Sequence, residues 1–271
     1  MFNRLAPYLL ALVLILPASC GPAPVPPTPT ATPVPPTATS TPEPEVWDYL
    51  PMGVLSRSEA SYIPEQYAAY IEQEMGVEVV IHKQERWEPY QILEHMQTDE
   101  ALRELVGNAE IITFDFHLEF LNTPEGLYTS KICGGDDNQD CLREALQKEK
   151  EIFNALFDQL AELRGGTPVV LRVFIMDDHY DQFSLPGMRE PLVKPEEAAV
   201  MKIYYHEFQK FVEEEGQKRG IVIVRALPDP YFQESKPPSE WLDGIGHYTE
   251  QGSRIITDEL ITFGLEFQVL K

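Results

Sequence analysis

Two near-continuous apolar runs of strand length place the strongest constraint on the fold of this chain. The first is AEIITFDF at 109–116, and the second is TPVVLRVFIMD at 167–177. A strand with one face in water alternates apolar and polar residues, whereas a strand covered on both faces is apolar at nearly every position. The two runs therefore predict central strands of a sheet that has helices packed on both faces.

Strand-like and helix-like patterns alternate through the remainder of 46–271. Asp99 and Asp140 precede two of the helical patterns and are predicted to cap them. Such alternation predicts a parallel sheet, here a three-layer α/β/α sandwich, with its site beyond the carboxyl ends of the strands. Further strands are expected at 46–53, 76–82 and 221–227, and helices at 64–75, 89–96, 99–107, from 140 onward, 195–220 and 249–265.

Residues 1–19 have the pattern of an export signal. Arg4 supplies a positive charge, LAPYLLALVLILPAS is a short apolar stretch, and Cys20 follows small residues. The apolar stretch is too short to be a comfortable membrane-spanning helix. Cys20 resembles the lipid-bearing cysteine of bacterial lipoproteins, although Pro17 stands where that signal usually has Leu; plain signal-peptide cleavage nearby is the alternative.

Residues 20–45 are predicted to be a stalk. The segment GPAPVPPTPTATPVPPTATSTPEPE contains ten prolines in 25 residues and carries no charge before Glu43. Such a sequence cannot bury apolar surface and favours extended polyproline II. We therefore expect an exported chain that is anchored by lipid to a bacterial membrane and holds the domain at 46–271 on the extracytoplasmic side.

The remaining two cysteines, Cys133 and Cys141, form an even pair in a chain expected to be exported. A disulfide is the default expectation for such a pair. Between them, Asp136 and Asn138 alternate with Asp140 as in a calcium loop, but Cys141 stands where that loop requires Gly. A polar disulfide loop is predicted, and neither a metal site nor a cofactor is expected.

The domain portion is strongly acidic. Residues 46–271 contain 20 Lys or Arg against 42 Asp or Glu, a formal charge of −22. Phosphate groups are repelled by that charge, so the composition argues against nucleic acids and anionic lipid surfaces as partners. The expected partners are a small-molecule ester, a glycan or a lipid, with the membrane contacted only through the anchor; the oligomeric state is not predicted.

The chain as a whole resembles the SGNH/GDSL hydrolase family, in particular lipoprotein members that have a Pro/Thr-rich stalk and a paired-cysteine insert. The resemblance covers nearly all of 46–271 and rests on four segments in order: YLPMGVLSRSEASYIPEQYAAYIEQEMGVEVVIHK, MQTDEALRELVGNAEIITFDFHLEFL, ICGGDDNQDCLREALQKEKEIFNAL and DGIGHYTEQGSRIITDEL. It implies a flavodoxin-like sandwich, ester hydrolysis by a serine, and no cofactor.

The first block of the family is Gly-Asp-Ser-Leu, in which the serine is the nucleophile. The matching residues here are GVLS: Gly53 is retained, Val54 replaces Asp, and Leu55 stands at the position of the nucleophile. Ser56 follows one residue later, and a shift of one residue on an extended segment reverses the direction of the side chain. Ser56 is thus either a displaced nucleophile or an ordinary loop serine.

The blocks that form the oxyanion hole also depart from the family. The loop after the second strand contains Glu85 and Glu88 and lacks the usual glycine, and these carboxylates disfavour a developing negative charge. In the third block, which normally reads Gly-X-Asn-Asp, His117 replaces Gly and Glu119 replaces Asn. An ionised Glu119 accepts hydrogen bonds and cannot donate one, as an oxyanion hole requires.

The fourth block keeps its chemical groups. Asp243 and His247 match the Asp-X-X-His pair with one additional residue between them, and Gly252 follows at the expected distance. Asp243 and His247 are interpreted either as a remnant Asp–His pair or as the capped start of a helix with a surface histidine. His82, His95 and His206 have no partner in sequence, and no role is predicted for them.

Three functional hypotheses follow. The first is a degenerate family member that binds a ligand at the cell surface without acyl-transfer chemistry. The second is an active ester hydrolase in which Ser56 is the nucleophile, His247 the base and Asp243 its partner. The third is a hydrolase that uses Glu119 and Asp243 as paired carboxylic groups. The loss of three of the four blocks favours the first hypothesis.

Overall fold

A computed structural model describes residues 45–53, 62–85, 87–116, 122–175, 194–225 and 249–271. Five parallel strands form its sheet in the order β2-β1-β3-β4-β5. The strands are β1 (Val46–Gly53), β2 (Glu78–Ile81), β3 (Ile111–Phe116), β4 (Val170–Ile175) and β5 (Val222–Arg225). This order is that of flavodoxin-like folds, and it confirms the predicted parallel α/β architecture.

Seven helices are described. They are α1 (Ile63–Met75), α2 (Pro89–Thr98), α3 (Glu100–Asn108), α4 (Asn122–Thr129), α5 (Asp140–Arg164), α6 (Pro195–Arg219) and α7 (Glu250–Thr262). None of the helices in the described part of the chain is long and apolar enough to span a membrane. The described residues all lie within one unit of the chain, Glu43–Lys271.

The two faces of the sheet carry separate cores because side chains alternate along each strand. On β1, Trp47 and Tyr49 pack toward α1 and α7, whereas Leu50 and Met52 pack toward α2, α3, α5 and α6. Strand β4 is buried at every position. The central strands are therefore covered on both faces, as their apolar sequences predicted, and the sandwich has three layers.

Two predicted helix caps have different outcomes. The carboxylate of Asp99 accepts hydrogen bonds from the backbone N–H groups of Ala101 and Leu102, so the predicted cap of α3 is confirmed. The predicted cap of α5 by Asp140 is wrong. Gln139 occupies the N-cap position, and Asp140 is the first helical residue, where its carboxylate pairs with Arg143 instead.

A buried arginine lies at the end of the molecule opposite the expected site. The side chain of Arg164, at the end of α5, is only 2 % exposed. Its Nη1 donates to the carbonyls of Val106 and Ala109 at the end of α3, at 2.9 and 2.8 Å. Its other nitrogens donate to the carbonyls of Thr167 and Pro168 before β4. One side chain thus satisfies carbonyl groups from two segments.

Replacing this arginine should be strongly destabilising. Arg164→Met keeps the apolar part of the side chain and leaves four carbonyl groups without their donor, which we expect to lower the free energy of unfolding by at least about 3 kcal/mol. Denaturant unfolding measures the change. Arg254→Met is the matched control, because Arg254 is exposed and its ion pair with Glu250 is long and solvated; its effect should stay within about 0.5 kcal/mol. Equal stability of the two variants would contradict this role of Arg164.

Candidate functional site

The candidate site lies at the carboxyl edge of the sheet, where the first and third sequence blocks leave adjacent strands. Gly53, the last residue of β1, is the Cα partner of Asp115 on β3. Asp115 in turn pairs with Phe174 on β4. The register therefore starts the two blocks from neighbouring positions at one edge. Leu55, Ser56, His117 and Glu119 themselves lie outside the described residues.

Gly53 has a backbone conformation that explains its residue type. Its φ angle is 110°, in the region that L side chains rarely adopt, and it is buried at the end of β1. Glycine enters this region without the steric cost that a Cβ would add. The conformation of Gly53 therefore explains why glycine stands at this position, whatever chemistry the following residues provide.

The helices that follow the first and fourth blocks are joined at their first turns. Tyr62, directly before α1, donates its backbone N–H to the hydroxyl of Ser253 in α7, at 3.4 Å. One turn further along, the Thr257 hydroxyl lies 3.1 Å from Gln66 Oε1. Thr249 caps α7 by accepting from Gly252 N–H. Segment 54–61, which includes Ser56, and segment 226–248, which includes Asp243 and His247, therefore both lead into one pair of packed helices.

Asp243 and His247 lie outside the described residues. Thr249 occupies the N-cap of α7 two residues after His247. The helix start that the sequence predicted near this block is thus present at 249–250.

The second block forms the start of α2. Glu88 is half-buried at the N-cap of α2, and its backbone N–H donates to Gln91 Oε1 at 2.8 Å. Just before it, the ring of Trp87 stacks on that of His95 with centroids 4.0 Å apart. These contacts fix the entry of the chain into α2 at the carboxyl edge of the sheet. His95, to which no role was assigned, supports Trp87.

Glu149 on α5 is a site-edge residue that sequence reasoning missed. Burial raises the pKa of the Glu149 carboxyl to about 7, and the nearby Glu88 carboxylate adds to the rise, while Lys148 opposes it. The residue interrupts an apolar stripe that continues through Leu146 and Phe153 on the buried side of α5. A carboxylate at an apolar stripe position is the sequence signal that could have revealed it.

His82 also has a partner that the sequence did not reveal. Its Nε2 lies 2.7 Å from the Asp48 carboxylate across the β1–β2 pair. The two side chains are 35 % and 45 % exposed, so the pair is largely solvated. His82 N–H donates to the Tyr49 carbonyl, so His82 lies level with the middle of β1 and below the edge where Gly53 ends.

A disulfide joins Cys133 to Cys141 and closes the loop between α4 and α5. Within the loop, Asn138 Oδ1 accepts from Cys133 N–H and Nδ2 donates to the Tyr128 carbonyl. Asp140 pairs with Arg143. Two of the three alternate polar residues, Asn138 and Asp140, thus bond within the loop and the first turn of α5. In the described part of the chain, no three His, Cys, Asp or Glu residues are placed to hold a metal.

The comparisons with known proteins bear on the fold. No protein-family model matches the sequence, and neither does any curated protein. A lipase from a goat rumen metagenome superimposes with a TM-score of 0.61 at 16 % identity, covering 81 % of this chain and 100 % of the lipase. An acetylxylan esterase from Geobacillus stearothermophilus gives a TM-score of 0.52 at 9 % identity and covers 81 % of this chain and 95 % of the esterase.

A third similar structure is an α/β hydrolase enzyme from the metagenome of Lake Arreo, Spain. It gives a TM-score of 0.51 at 11 % identity and covers 80 % of this chain and 94 % of that enzyme. The chain therefore has an α/β fold that it shares with lipases and esterases over most of their length. At these identities the likeness establishes the fold alone, because one fold hosts many functions.

The raised pKa of Glu149 predicts a pH-dependent cost to stability. The folded-state pKa lies above the ordinary value of 4.5. The cost is therefore absent below about pH 4, grows between the two pKa values, and is complete above about pH 7. Glu149→Gln should stabilise the fold by roughly 1–2 kcal/mol at about pH 8 and have little effect at about pH 4.

Unfolding of both proteins across this pH range tests the prediction. Glu144→Gln is the matched control, because Glu144 is exposed on the same helix and should show no such pH dependence. A stabilisation by Glu149→Gln that is equal at both pH values would show that ionisation of this carboxyl is not the cause.

Proposed function

We propose that this chain is a lipid-anchored, exported member of the SGNH/GDSL hydrolase family that has lost its nucleophile and binds an uncharged ligand at the carboxyl edge of the sheet. The observation that carries the proposal is the end of β1. Gly53 begins the block with a positive φ angle that favours glycine, and Val54 and Leu55 follow where the family has Asp and Ser. Leucine has no atom that can attack a carbonyl.

The charges around this edge support binding rather than acyl transfer. An oxyanion hole works through donors directed at developing negative charge. Here Glu88 lies at the start of α2, a further carboxyl, Glu149, is close enough for the two to interact, and Glu119 replaces the usual Asn donor in the sequence. Carboxylates are hydrogen-bond acceptors that suit hydroxyl groups, so an uncharged glycan or glycan ester is the ligand class most compatible with them.

Ester hydrolysis by Ser56, His247 and Asp243 is the second candidate, and a specific contact favours it. The hydrogen bond from Tyr62 to Ser253 joins the helices that follow the Ser56 segment and the His247 segment. The similar solved structures include a lipase and an acetylxylan esterase. Under this hypothesis, Ser56 is activated by His247 as in other serine hydrolases.

A phosphonate probe and a short-chain aryl ester distinguish the two candidates. For the degenerate protein we expect no labelling and no hydrolysis above background, either in the wild type or in Ser56→Ala. Ser58→Ala is the matched control for loss of a neighbouring serine. Labelling that disappears in Ser56→Ala and persists in Ser58→Ala would establish the esterase instead.

Restoring the family block provides a positive test of the same proposal. The double variant Val54→Asp, Leu55→Ser rebuilds the Gly-Asp-Ser sequence after β1. If His247 and Asp243 remain in place, esterase activity should rise by on the order of 10²-fold or more over the wild type, and adding His247→Ala should abolish the gain. No gain in a folded double variant would indicate that the Asp–His pair or the oxyanion hole has been lost as well.

The lipid anchor is a separate part of the proposal and rests on the sequence alone. Cys20 follows the apolar stretch and precedes the proline-rich segment. In a bacterial host we expect the exported wild-type chain in the membrane fraction and exported Cys20→Ala in the soluble fraction, because the lipid is the only anchor proposed. Cell fractionation measures this. Wild-type protein found entirely in the soluble fraction would contradict lipidation at Cys20.

A further inference from the structure

A fully buried guanidinium lies on the sheet face that packs against α1 and α7. Arg172, in the middle of β4, has no exposed surface. Its Nη1 donates to the carbonyl of Leu171, the preceding residue. Its Nη2 donates to two carbonyls at the end of α7, that of Phe263 and, at 2.7 Å, that of Gly264. Its Nε–H has no hydrogen-bond partner among the described residues.

A second buried polar atom without a partner faces the same layer. Tyr67, on α1, is also fully buried, and its hydroxyl makes no hydrogen bond within the described part of the chain. Burial raises the pKa of Tyr67 to about 12, and the charge of Arg172 opposes that rise. The Tyr67 hydroxyl and the Arg172 Nε–H are not hydrogen-bonded to each other.

Thr113 and Tyr49 carry two further buried hydroxyl groups on this face of the sheet. Thr113 on β3 is the Cα partner of Arg172. Its hydroxyl is hydrogen-bonded to that of Tyr49 at 2.8 Å, and the ring of Tyr49 contacts the ring of Tyr67 edge-on, with centroids 6.0 Å apart. The apolar side chains of this layer include Ile63, Ile71, Val170, Ile256 and Leu260.

The chemistry of the two unpartnered atoms identifies what would satisfy them. A guanidinium Nε–H only donates a hydrogen bond, whereas a tyrosine hydroxyl both donates and accepts. Leaving either group unsatisfied in an apolar layer costs about 1–3 kcal/mol. A ligand that accepts a hydrogen bond from Arg172 Nε–H and forms another with the Tyr67 hydroxyl removes both costs. Buried waters typically make about three hydrogen bonds to polar groups of this kind.

We propose that Arg172 and Tyr67 hold a single water molecule between the sheet and α1. The water accepts a hydrogen bond from Arg172 Nε–H, bonds to the Tyr67 hydroxyl, and has the hydroxyls of Tyr49 and Thr113 nearby as further partners. It connects α1 to β4 and, through Arg172, to the end of α7. This internal site is independent of the proposed ligand-binding function.

A water fits this site better than an anion. The carbonyl groups at the carboxyl end of α7 carry the negative end of the helix dipole and already face the guanidinium. Transferring an anion into the surrounding apolar layer costs far more than transferring a neutral molecule.

A high-resolution crystal structure of the protein tests the proposal directly. We expect a density peak within hydrogen-bond distance of both Arg172 Nε and the Tyr67 hydroxyl, without anomalous signal after a bromide soak. A bromide signal at that position would show that the site binds an anion, and it would overturn the proposal of a water. Direct contact between Arg172 and Tyr67 with no peak would overturn the site.

Unfolding experiments provide a second test that needs no crystal. Tyr67→Phe should increase the unfolding equilibrium constant about tenfold in the wild type and less than about twofold in the Arg172→Lys background, because both changes remove a partner of the same water. Tyr70→Phe, on the neighbouring half-buried ring, should have the same effect in both backgrounds. An equal effect of Tyr67→Phe in the two backgrounds would contradict a shared ligand.

Discussion

Parallel pairing of strands that are covered on both faces is the constraint on which the rest of this structure depends. It requires helical crossovers and directs all strand ends toward one edge. Because Gly53 pairs with Asp115 and Asp115 with Phe174, the segments after β1, β3 and β4 begin side by side. Residues from distant parts of the sequence can then contribute to one site without any local motif joining them.

Burial on both faces also deprives some backbone carbonyl groups of water as a hydrogen-bond donor, and two buried arginines donate to such groups. Arg164 satisfies carbonyls at the end of α3 and before β4, and Arg172 satisfies carbonyls at the end of α7. The last carbonyls of a helix have no partner within the helix, so a buried donor at such an end stabilises both the helix and its contact with the sheet. Stability is thus maintained away from the carboxyl edge.

This separation explains how chemistry can be lost while the fold persists. Hydrogen bonds of Ser253 and Thr257 join α1 to α7, and neither residue is one of the proposed reactive groups. A fold shared with lipases and esterases is therefore compatible with either a binding protein or an enzyme, and the residues of the site decide between them.

The sequence by itself determined the parallel sheet, most helices and the cap at Asp99, because periodicity and capping are local properties of the chain. It did not determine that Gln139 rather than Asp140 precedes α5, since neighbouring polar residues compete for that position. Tertiary structure alone decided the environments of Arg172 and Glu149. The partners of a buried charge come from elements far apart in sequence, so only their packing fixes which groups are satisfied and which pKa values move.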